Sequence, residues 1–360
     1  MYSSKILLGL ASPDRPGYEL DDLWRQRSCG SGARMNYEII ATVGPASRTP
    51  DVVSAMISAG STALRINTSH LSVEELDEWM GAIRTQTMAA GGASSIPIVL
   101  DLQGSKWRLG KCGARTLSRG GRVVLVHAPV TSKPSELPVP HADFFRSAAF
   151  SDGTLLLNDA KVILEVERAE PHQIQAIVAS GGEITSFKGI TFAQSRFRKE
   201  SLSDKDAEIV ARHRRIPLVR FALSYVKDAL EMQNYRSSIG TDAYLIAKLE
   251  RSDALAQASE IAHMADEIWL CRGDLGAELG LSDMARQAHE LTKHAGSLGV
   301  PAMLAGQVLE HMTDHKTPTR AEVCSLFDAL AAGYSGVVLS DETAIGRFPI
   351  DACGVAAMFR

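Results

Sequence analysis

Eight short apolar runs, alternating with longer segments of helical periodicity, constrain the fold of this chain more than any other feature. Apolar runs separated by helical segments are typical of parallel strands joined by crossover helices. Eight is the number of strands that closes a β/α barrel, so the sequence predicts an α/β fold of the TIM (β/α)8 barrel type. The predicted strands cover residues 38–43, 63–67, 96–101, 218–223, 243–249, 267–271, 301–305 and 336–340.

The stretch between the third and fourth predicted strands has a different character. It is rich in β-branched residues and is broken by Gly and Pro, which favours short strands. We therefore predict a small all-β domain, residues 109–190, inserted after the third barrel strand, and we expect it to act as a lid. The barrel domain then comprises residues 35–108 and 191–360. Residues 1–34 are interpreted as an N-terminal extension that is either mobile or a docking segment.

The composition excludes several classes of protein. Lys and Arg number 38 against 42 Asp and Glu, so the formal charge of -4 lacks the basic excess that non-specific nucleic-acid binding needs. The five cysteines are scattered and form no CxxC pair, which argues against a disulfide framework and a structural zinc site. No apolar run approaches the roughly 18 residues of a membrane span. We expect a cytoplasmic protein with no nucleic-acid partner and no membrane span.

Polar residues follow almost every predicted strand. In β/α barrels the C-terminal ends of the strands carry the active site. Charged residues at a barrel rim also form structural ion-pair networks, so each of them alone has a structural interpretation as well. The residues at or just after these ends are Pro45, Arg65, Asn67, Ser69, His70, Asp101, Lys106, Arg108, Lys248, Glu250, Gly273, Asp274, Gly306 and Ser340.

Two carboxylates, Glu250 and Asp274, follow neighbouring strands and indicate a site for a hard cation. Magnesium and manganese suit such a pair, because they keep water and substrate oxygens as further ligands. The amides of residues 273–276, at the start of a predicted helix, suit an anion such as a carboxylate.

Three cations are expected near this metal site, namely Arg65, Arg108 and Lys248. Fixed cations beside a divalent metal are the equipment of phosphoryl transfer, because they stabilise the charge that develops on the transferred group. The sequence has no Walker loop, so a nucleotide must be held in another way.

Taken together, these motifs resemble the pyruvate kinase family. The resemblance runs from about residue 38 to the end of the chain, and its motifs follow the family's order and spacing. They are Ala41-Thr-Val-Gly-Pro-Ala-Ser47, Leu64-Arg-Ile-Asn-Thr-Ser-His70, Ile246-Ala-Lys-Leu-Glu250, Cys271-Arg-Gly-Asp-Leu-Gly276, Gln307-Val-Leu-Glu310, Pro318-Thr-Arg-Ala-Glu322 and Leu339-Ser-Asp-Glu-Thr-Ala344.

The resemblance implies a phosphotransferase that moves phosphate between phosphoenolpyruvate and ADP, giving pyruvate and ATP, with magnesium or manganese as cofactor. Lys248 would stabilise the transferring phosphoryl group, Glu250 and Asp274 would ligate the metal, and Arg65 and Arg108 would contact phosphate. The resemblance further implies that substrate is bound by Gly273, Asp274, Gly306 and Ser340, and that the nucleotide is bound by Pro45, His70 and Lys188. Asp152 and Lys188 match residues of the family's lid.

The resemblance also implies that potassium is not required. Many family members bind that ion through residues matching Asn67, Ser69 and Asp101 and through a threonine, which here is Leu102. Where those members have a glutamate this chain has Lys106, as in the potassium-independent subgroup. We expect the Lys106 ammonium to supply the missing charge, because Asp101 would otherwise lack a partner.

Two departures from the family leave alternatives open. Gly306 stands where the family has a threonine implicated in proton delivery, and we expect it to open space of about a side chain. The resemblance also ends without the family's C-terminal domain, so we expect that domain to be absent and any homo-oligomer to form through the barrel. The alternatives are an enzyme acting on a different enolpyruvyl or 2-oxo acid substrate and a catalytically weak paralogue with a binding or regulatory role.

Overall fold

Eight parallel strands close into a barrel in the computed structural model, which describes residues 34–90, 96–104, 107–148, 153–158, 161–192 and 202–360. Pairing of Glu38 with Gly336 joins the first strand to the eighth and completes the ring. The prediction of a TIM barrel is confirmed. The barrel strands, in chain order, are Glu38–Val43, Ala63–Asn67, Ile98–Leu102, Val219–Leu223, Tyr244–Leu249, Glu267–Cys271, Ala302–Ala305 and Gly336–Leu339.

The strands are apolar because both of their faces are buried. Inward side chains such as Ile40, Val99, Ile246 and Met303 fill the interior of the barrel, and the opposite faces pack against the surrounding helices. Sequences with near-continuous apolar runs are expected for parallel sheets that are covered on both sides. This packing fixes the register of each strand, and so it fixes which residues arrive at the C-terminal end.

The helices between the strands begin with recognisable capping residues. Pro50 occupies the first turn of its helix, the Ser203 side chain accepts from Asp206 N–H, and Thr319 forms a capping box with Glu322. None of the helices in the described part of the chain has the length and apolar character needed to cross a bilayer. The helices are Pro50–Ser58, Val73–Ala90, Ala142–Ser147, Asp204–His213, Ala229–Ile239, Ser252–Ala256, Ala258–Ala262, Arg272–Leu279, Leu281–Thr292, Arg320–Ala331, Asp341–Ala344 and Pro349–Ala356.

The stretch between the third and fourth barrel strands forms two sheets. A six-stranded, mostly antiparallel sheet and a separate two-stranded one share a hydrophobic core that includes Trp107, Phe144 and Phe192. An isolated bridge between Arg108 and Gly189 joins the two ends of this insertion. Its strands are Arg115–Leu117, Arg122–Val126, Glu136–Pro138, Thr154–Leu157, Val162–Glu170, Gln173–Ser180, Gly182–Ile184 and Ile190–Phe192.

A buried polar network occupies the N-terminal end of the barrel, opposite the strand ends that carry the predicted site. Glu267 is fully buried and accepts hydrogen bonds from Trp269 Nε1, Tyr244 Oη and Arg220 Nη1. Arg220 also makes two bonds of 3.0 Å to the carboxylate of Glu38. Because conserved chemistry in such barrels lies at the other end, we interpret this network as structural.

Candidate active site

A buried lysine lies among the C-terminal ends of the third, fourth and fifth barrel strands. The side chain of Lys248 is 9% exposed, and its Nζ lies 3.1 Å from Asp101 Oδ2 and 2.9 Å from Glu250 Oε1. Nζ also donates to Ser224 Oγ at 2.9 Å. Three neighbouring strands therefore bring one ammonium group, two carboxylates and a hydroxyl to a single buried point.

Arg65, at the end of the second strand, shares the carboxylate of Asp101 with Lys248. Arg65 Nε donates to Asp101 Oδ2 at 2.9 Å. Burial favours the neutral form of Asp101, but the charges of Lys248 and Arg65 outweigh it and hold the pKa of this carboxyl below its ordinary value. Burial likewise disfavours the ammonium of Lys248, yet Asp101 and Glu250 raise the pKa of that lysine above its ordinary value. Lys248 is therefore a fixed positive charge at neutral pH.

Tyr225, just after the fourth strand, connects this cluster to Asp274. The Tyr225 N–H donates to Glu250 Oε2 at 2.7 Å, and its hydroxyl donates to Asp274 Oδ1 at 3.3 Å. Both predicted metal ligands are thus brought to one place by strands and helices far apart in the sequence. No local pattern in the sequence marks this tyrosine as a site residue.

The two carboxylates fit a divalent metal that takes few protein ligands. Across the described ranges, no group of three or more His, Cys, Asp or Glu side chains is arranged to hold a metal. A structural zinc site would require such a group. Magnesium is typically held by one or two carboxylates together with water and substrate phosphates. Glu250 and Asp274 match that second arrangement.

A second group of cations surrounds His70, which ends the short turn after the second strand. Partial burial, and then the positive charges around it, lower the pKa of His70 to about 4. The ring is therefore neutral at pH 7, because burial and the positive charges near it oppose its protonation. These cations are Arg108, Lys188, Lys205 and Arg65.

Lys205 belongs to this group but is not among the residues predicted from the sequence. Lys205 lies in the first turn of the helix Asp204–His213, and its Nζ donates to Thr68 O at 2.7 Å. Burial lowers the pKa of Lys205, and the charge of Asp206 restores it only in part. A lysine in the first turn opposes the helix dipole, and that unfavourable placement is a signal by which it could have been found.

Arg108 stands where the insertion joins the barrel. Its N–H donates to His141 Nε2 at 3.2 Å, and its Nη1 donates to Phe187 O at 2.9 Å. Its Nε is buried and has no hydrogen-bond partner among the described residues. A buried guanidinium nitrogen without a partner fits an anionic ligand such as a phosphate oxygen.

The loop after the seventh strand does not contain the space that the sequence suggested. Gly306 has φ +80°, and a Cβ placed there would lie 3.0 Å from Gly273 N. Arg272 holds this loop by donating from Nε and Nη2 to Gly306 O, at 3.0 and 2.8 Å, and from Nη2 to Gln307 O at 2.8 Å. The expectation of an open side-chain volume at Gly306 is wrong, because the close approach of Gly273 fills it.

Comparisons with known proteins agree with this geometry. The family model described as pyruvate kinase, barrel domain, matches residues 34–353. The chain belongs to the pyruvate kinase family. That membership confirms the expected class, a pyruvate kinase-like phosphotransferase.

Individual relatives show the extent of the similarity. A pyruvate kinase of Thermococcus litoralis is 32% identical over 325 residues, which is 89% of this chain and 68% of that protein. One of Methylorubrum extorquens is 33% identical over 319 residues, or 88% of this chain and 66% of the relative. A pyruvate kinase structure from Cryptosporidium parvum has a TM-score of 0.76 at 25% identity. This match covers 90% of this chain and 68% of the Cryptosporidium chain. The chain thus spans about two thirds of the length of these pyruvate kinases.

Other residues implied by the pyruvate kinase resemblance lie elsewhere on the rim. Pro45 is exposed in a turn whose neighbour Ala46 donates to Ala344 O at 3.0 Å, and Ser340 N–H donates to Glu342 Oε2 at 2.6 Å. No described contact joins Pro45 or Ser340 to Lys248. Their substrate and nucleotide roles stay predictions.

The electrostatic reason given for potassium independence is wrong. Asp101 does not lack a partner, because Arg65 and Lys248 both bind its carboxylate. Of the other potassium-site equivalents, Asn67 Oδ1 accepts from Ser69 N–H at 3.2 Å. Lys106 and the lid residue Asp152 lie outside the described residues.

Proposed function

We propose that this chain transfers a phosphoryl group between phosphoenolpyruvate and ADP, forming pyruvate and ATP. The observation that carries the proposal is the buried Lys248, whose ammonium lies between Asp101 and Glu250 at the C-terminal end of a pyruvate kinase barrel. A fixed cation in a desolvated site is the group that stabilises charge on a phosphoryl oxygen.

The residues divide into two sets with separate tasks. Lys248 and Arg65 would contact the phosphoryl group of the substrate, and Asp101 orients both of them through its carboxylate. Arg108, Lys188 and Lys205 would bind the nucleotide phosphates, with the neutral ring of His70 among them.

Glu250 and Asp274 would hold the divalent metal. When bound, magnesium supplies positive charge that screens the phosphate oxygens of both substrates. The Glu250 carboxylate is held by Lys248 and by the Tyr225 N–H, so its orientation does not depend on the metal alone. The N-terminal amides of the helix Arg272–Leu279 would bind the substrate carboxylate.

The insertion would act as a lid. Its two ends meet beside Arg108, where Leu109 N–H donates to Lys188 O at 2.9 Å. Movement at this point would carry two of the phosphate-binding cations together and would exclude water during transfer.

We also propose that potassium is not required. Leu102 offers no hydroxyl to the ion, and Asp101 already accepts bonds from two cations. Lys106 is the residue to test. The homo-oligomer and the cytoplasmic location stay predictions from the sequence. A Cβ at Gly306 would lie 3.0 Å from Gly273 N, which argues against the changed-substrate alternative.

The experiment is pyruvate formation from phosphoenolpyruvate and ADP with magnesium, first in sodium and then with potassium added. We expect turnover in sodium that potassium does not increase, and loss of at least 100-fold in Lys248→Ala. Lys293→Ala, on an exposed helix end, is the matched control and should retain full activity. Lys106→Glu, which restores the acidic residue of potassium-dependent members, tests that lysine: a new potassium requirement would support its expected role, and equal turnover in both salts would refute it.

Each part of the proposal has its own contrary outcome. No turnover by folded protein in either salt would refute the reaction, and full activity in Lys248→Ala would refute the role of that lysine. Potassium stimulation of the unmodified chain would refute only the claim about the monovalent ion.

A further inference from the structure

Tyr225 contacts both predicted metal ligands. It is 3% exposed and directly follows Ser224, which itself bonds to Lys248 and Asp101. Its main-chain N–H donates to Glu250 Oε2 and its phenolic hydroxyl to Asp274 Oδ1. One residue thus spans from the carboxylate just after the fifth strand to the carboxylate on the helix Arg272–Leu279, which follows the sixth strand.

The backbone of Tyr225 has φ +62°, in the left-handed region. Bulky residues rarely adopt this conformation, because their Cβ crowds the neighbouring carbonyl. Such outliers cluster at functional sites, where the surrounding structure holds them in place. The conformation of Tyr225 directs the N–H to one ligand while the ring extends to the other.

We propose that Tyr225 is a positioning residue for the divalent metal, fixing Glu250 through its N–H and Asp274 through its hydroxyl. The inference rests on the proposed function in that it takes these two carboxylates as the metal ligands. Donors behind a ligating carboxylate fix its orientation, and their removal commonly weakens metal binding 10- to 100-fold. Because the hydroxyl contact is 3.3 Å, long for such a bond, we place the effect at about 10-fold.

The test is direct Mn²⁺ binding to the full chain without substrates, measured from the electron paramagnetic resonance signal of the free ion. Glu250→Gln should abolish tight binding, and Tyr225→Phe should raise the dissociation constant about 10-fold. Tyr37→Phe is the matched control, because it also removes a buried phenolic hydrogen bond, to Ala356 O at 2.7 Å, but outside the site. The control should bind Mn²⁺ within twofold of the unmodified chain.

A double variant separates positioning from general packing. In an Asp274→Ala background, titrated at Mn²⁺ concentrations high enough to load the weakened site, the hydroxyl of Tyr225 has no carboxylate to orient, so adding Tyr225→Phe should change the remaining Mn²⁺ affinity less than twofold. Melting temperatures of the two phenylalanine variants report whether either change disturbs the fold.

The outcomes separate this inference from the proposed function. Mn²⁺ binding that Tyr225→Phe leaves within twofold overturns the inference and leaves the phosphotransferase proposal intact. Mn²⁺ binding weakened as expected, in a chain with no phosphoenolpyruvate turnover, supports the inference and refutes the reaction. No Mn²⁺ binding by the unmodified chain overturns the ligand assignment and the inference together.

Discussion

Replacing Glu267 by glutamine should remove a pH dependence of stability that does not involve the active site. Glu267 is the first residue of the sixth barrel strand and is fully buried. Burial, opposed in part by the hydrogen bond from Trp269, raises the pKa of Glu267 to about 7. Glutamine has the size of the protonated acid but cannot ionise, so it isolates the cost of the buried charge.

The size of this stability change follows from the difference between the pKa of Glu267 in the folded chain and its pKa in the unfolded chain. The ordinary value is 4.5, so the folded chain binds more protons than the unfolded chain between about pH 4.5 and pH 7. The stabilisation from protonated Glu267 is complete below the pKa that this carboxyl has in the unfolded chain. It is lost as the pH rises through the pKa that it has in the folded chain. Between pH 5 and pH 8 the loss is about 2.5 kcal/mol. For 360 residues this corresponds to about 3 °C in melting temperature.

The assay is thermal melting of both proteins from pH 5 to pH 8, taking the difference between them so that other titrating groups cancel. Glu267→Gln should match the unmodified chain at pH 5 and melt about 3 °C higher at pH 8. Glu78→Gln, at an exposed helix position, is the matched control for the change of side chain. A constant offset between Glu267→Gln and the unmodified chain across this range would refute the reasoning.

Two further predictions concern the rim. Lys205→Gln should raise the KM for ADP about 10-fold, because one charged hydrogen bond to a nucleotide phosphate is lost. The KM for phosphoenolpyruvate should stay within twofold. Equal changes of both KM values in a steady-state assay would contradict the assignment of Lys205 to the nucleotide. Gly306→Ala should destabilise the chain by about 1–3 kcal/mol, because φ is +80° and the new Cβ meets Gly273 N at 3.0 Å. Gly306→Thr should cost more and should not increase turnover, and a threonine variant as stable as the unmodified chain in urea unfolding would refute that account.

The sequence predicts the barrel and the end of it that carries the site, because both follow from local periodicity. The strands Glu38–Val43, Ala63–Asn67 and Glu267–Cys271 lie where the apolar runs predict them. Polar residues after such strands must meet at one end, so Arg65, Lys248 and Glu250 could be chosen without knowing a single contact.

The pairings within the site could not be predicted in the same way. Whether Asp101 has a partner depends on the distance between side chains from the second, third and fifth strands, and barrel closure sets that distance. The error at Gly306 has the same origin. From the sequence, a glycine in place of a threonine suggests empty space. In the fold, the first residues of the helix Arg272–Leu279 approach Gly306 closely and leave little room there.

Left-handed residues explain how the strand ends carry out two tasks at once. Each strand must deliver a side chain to the site and then reverse toward its helix. Gly104, Tyr225 and the pair Gly306–Gln307 take positive φ just after the third, fourth and seventh strands. Glycine does this at little cost, but tyrosine and glutamine each lose about 1–2 kcal/mol. Bonds from Tyr225 N–H to Glu250 and from Arg272 to Gln307 O hold the two costly residues. Asn158, Phe187 and Leu218 also take positive φ, at places away from the C-terminal ends of the barrel strands. What distinguishes Tyr225 is therefore its pair of contacts, through its N–H to Glu250 and through its hydroxyl to Asp274.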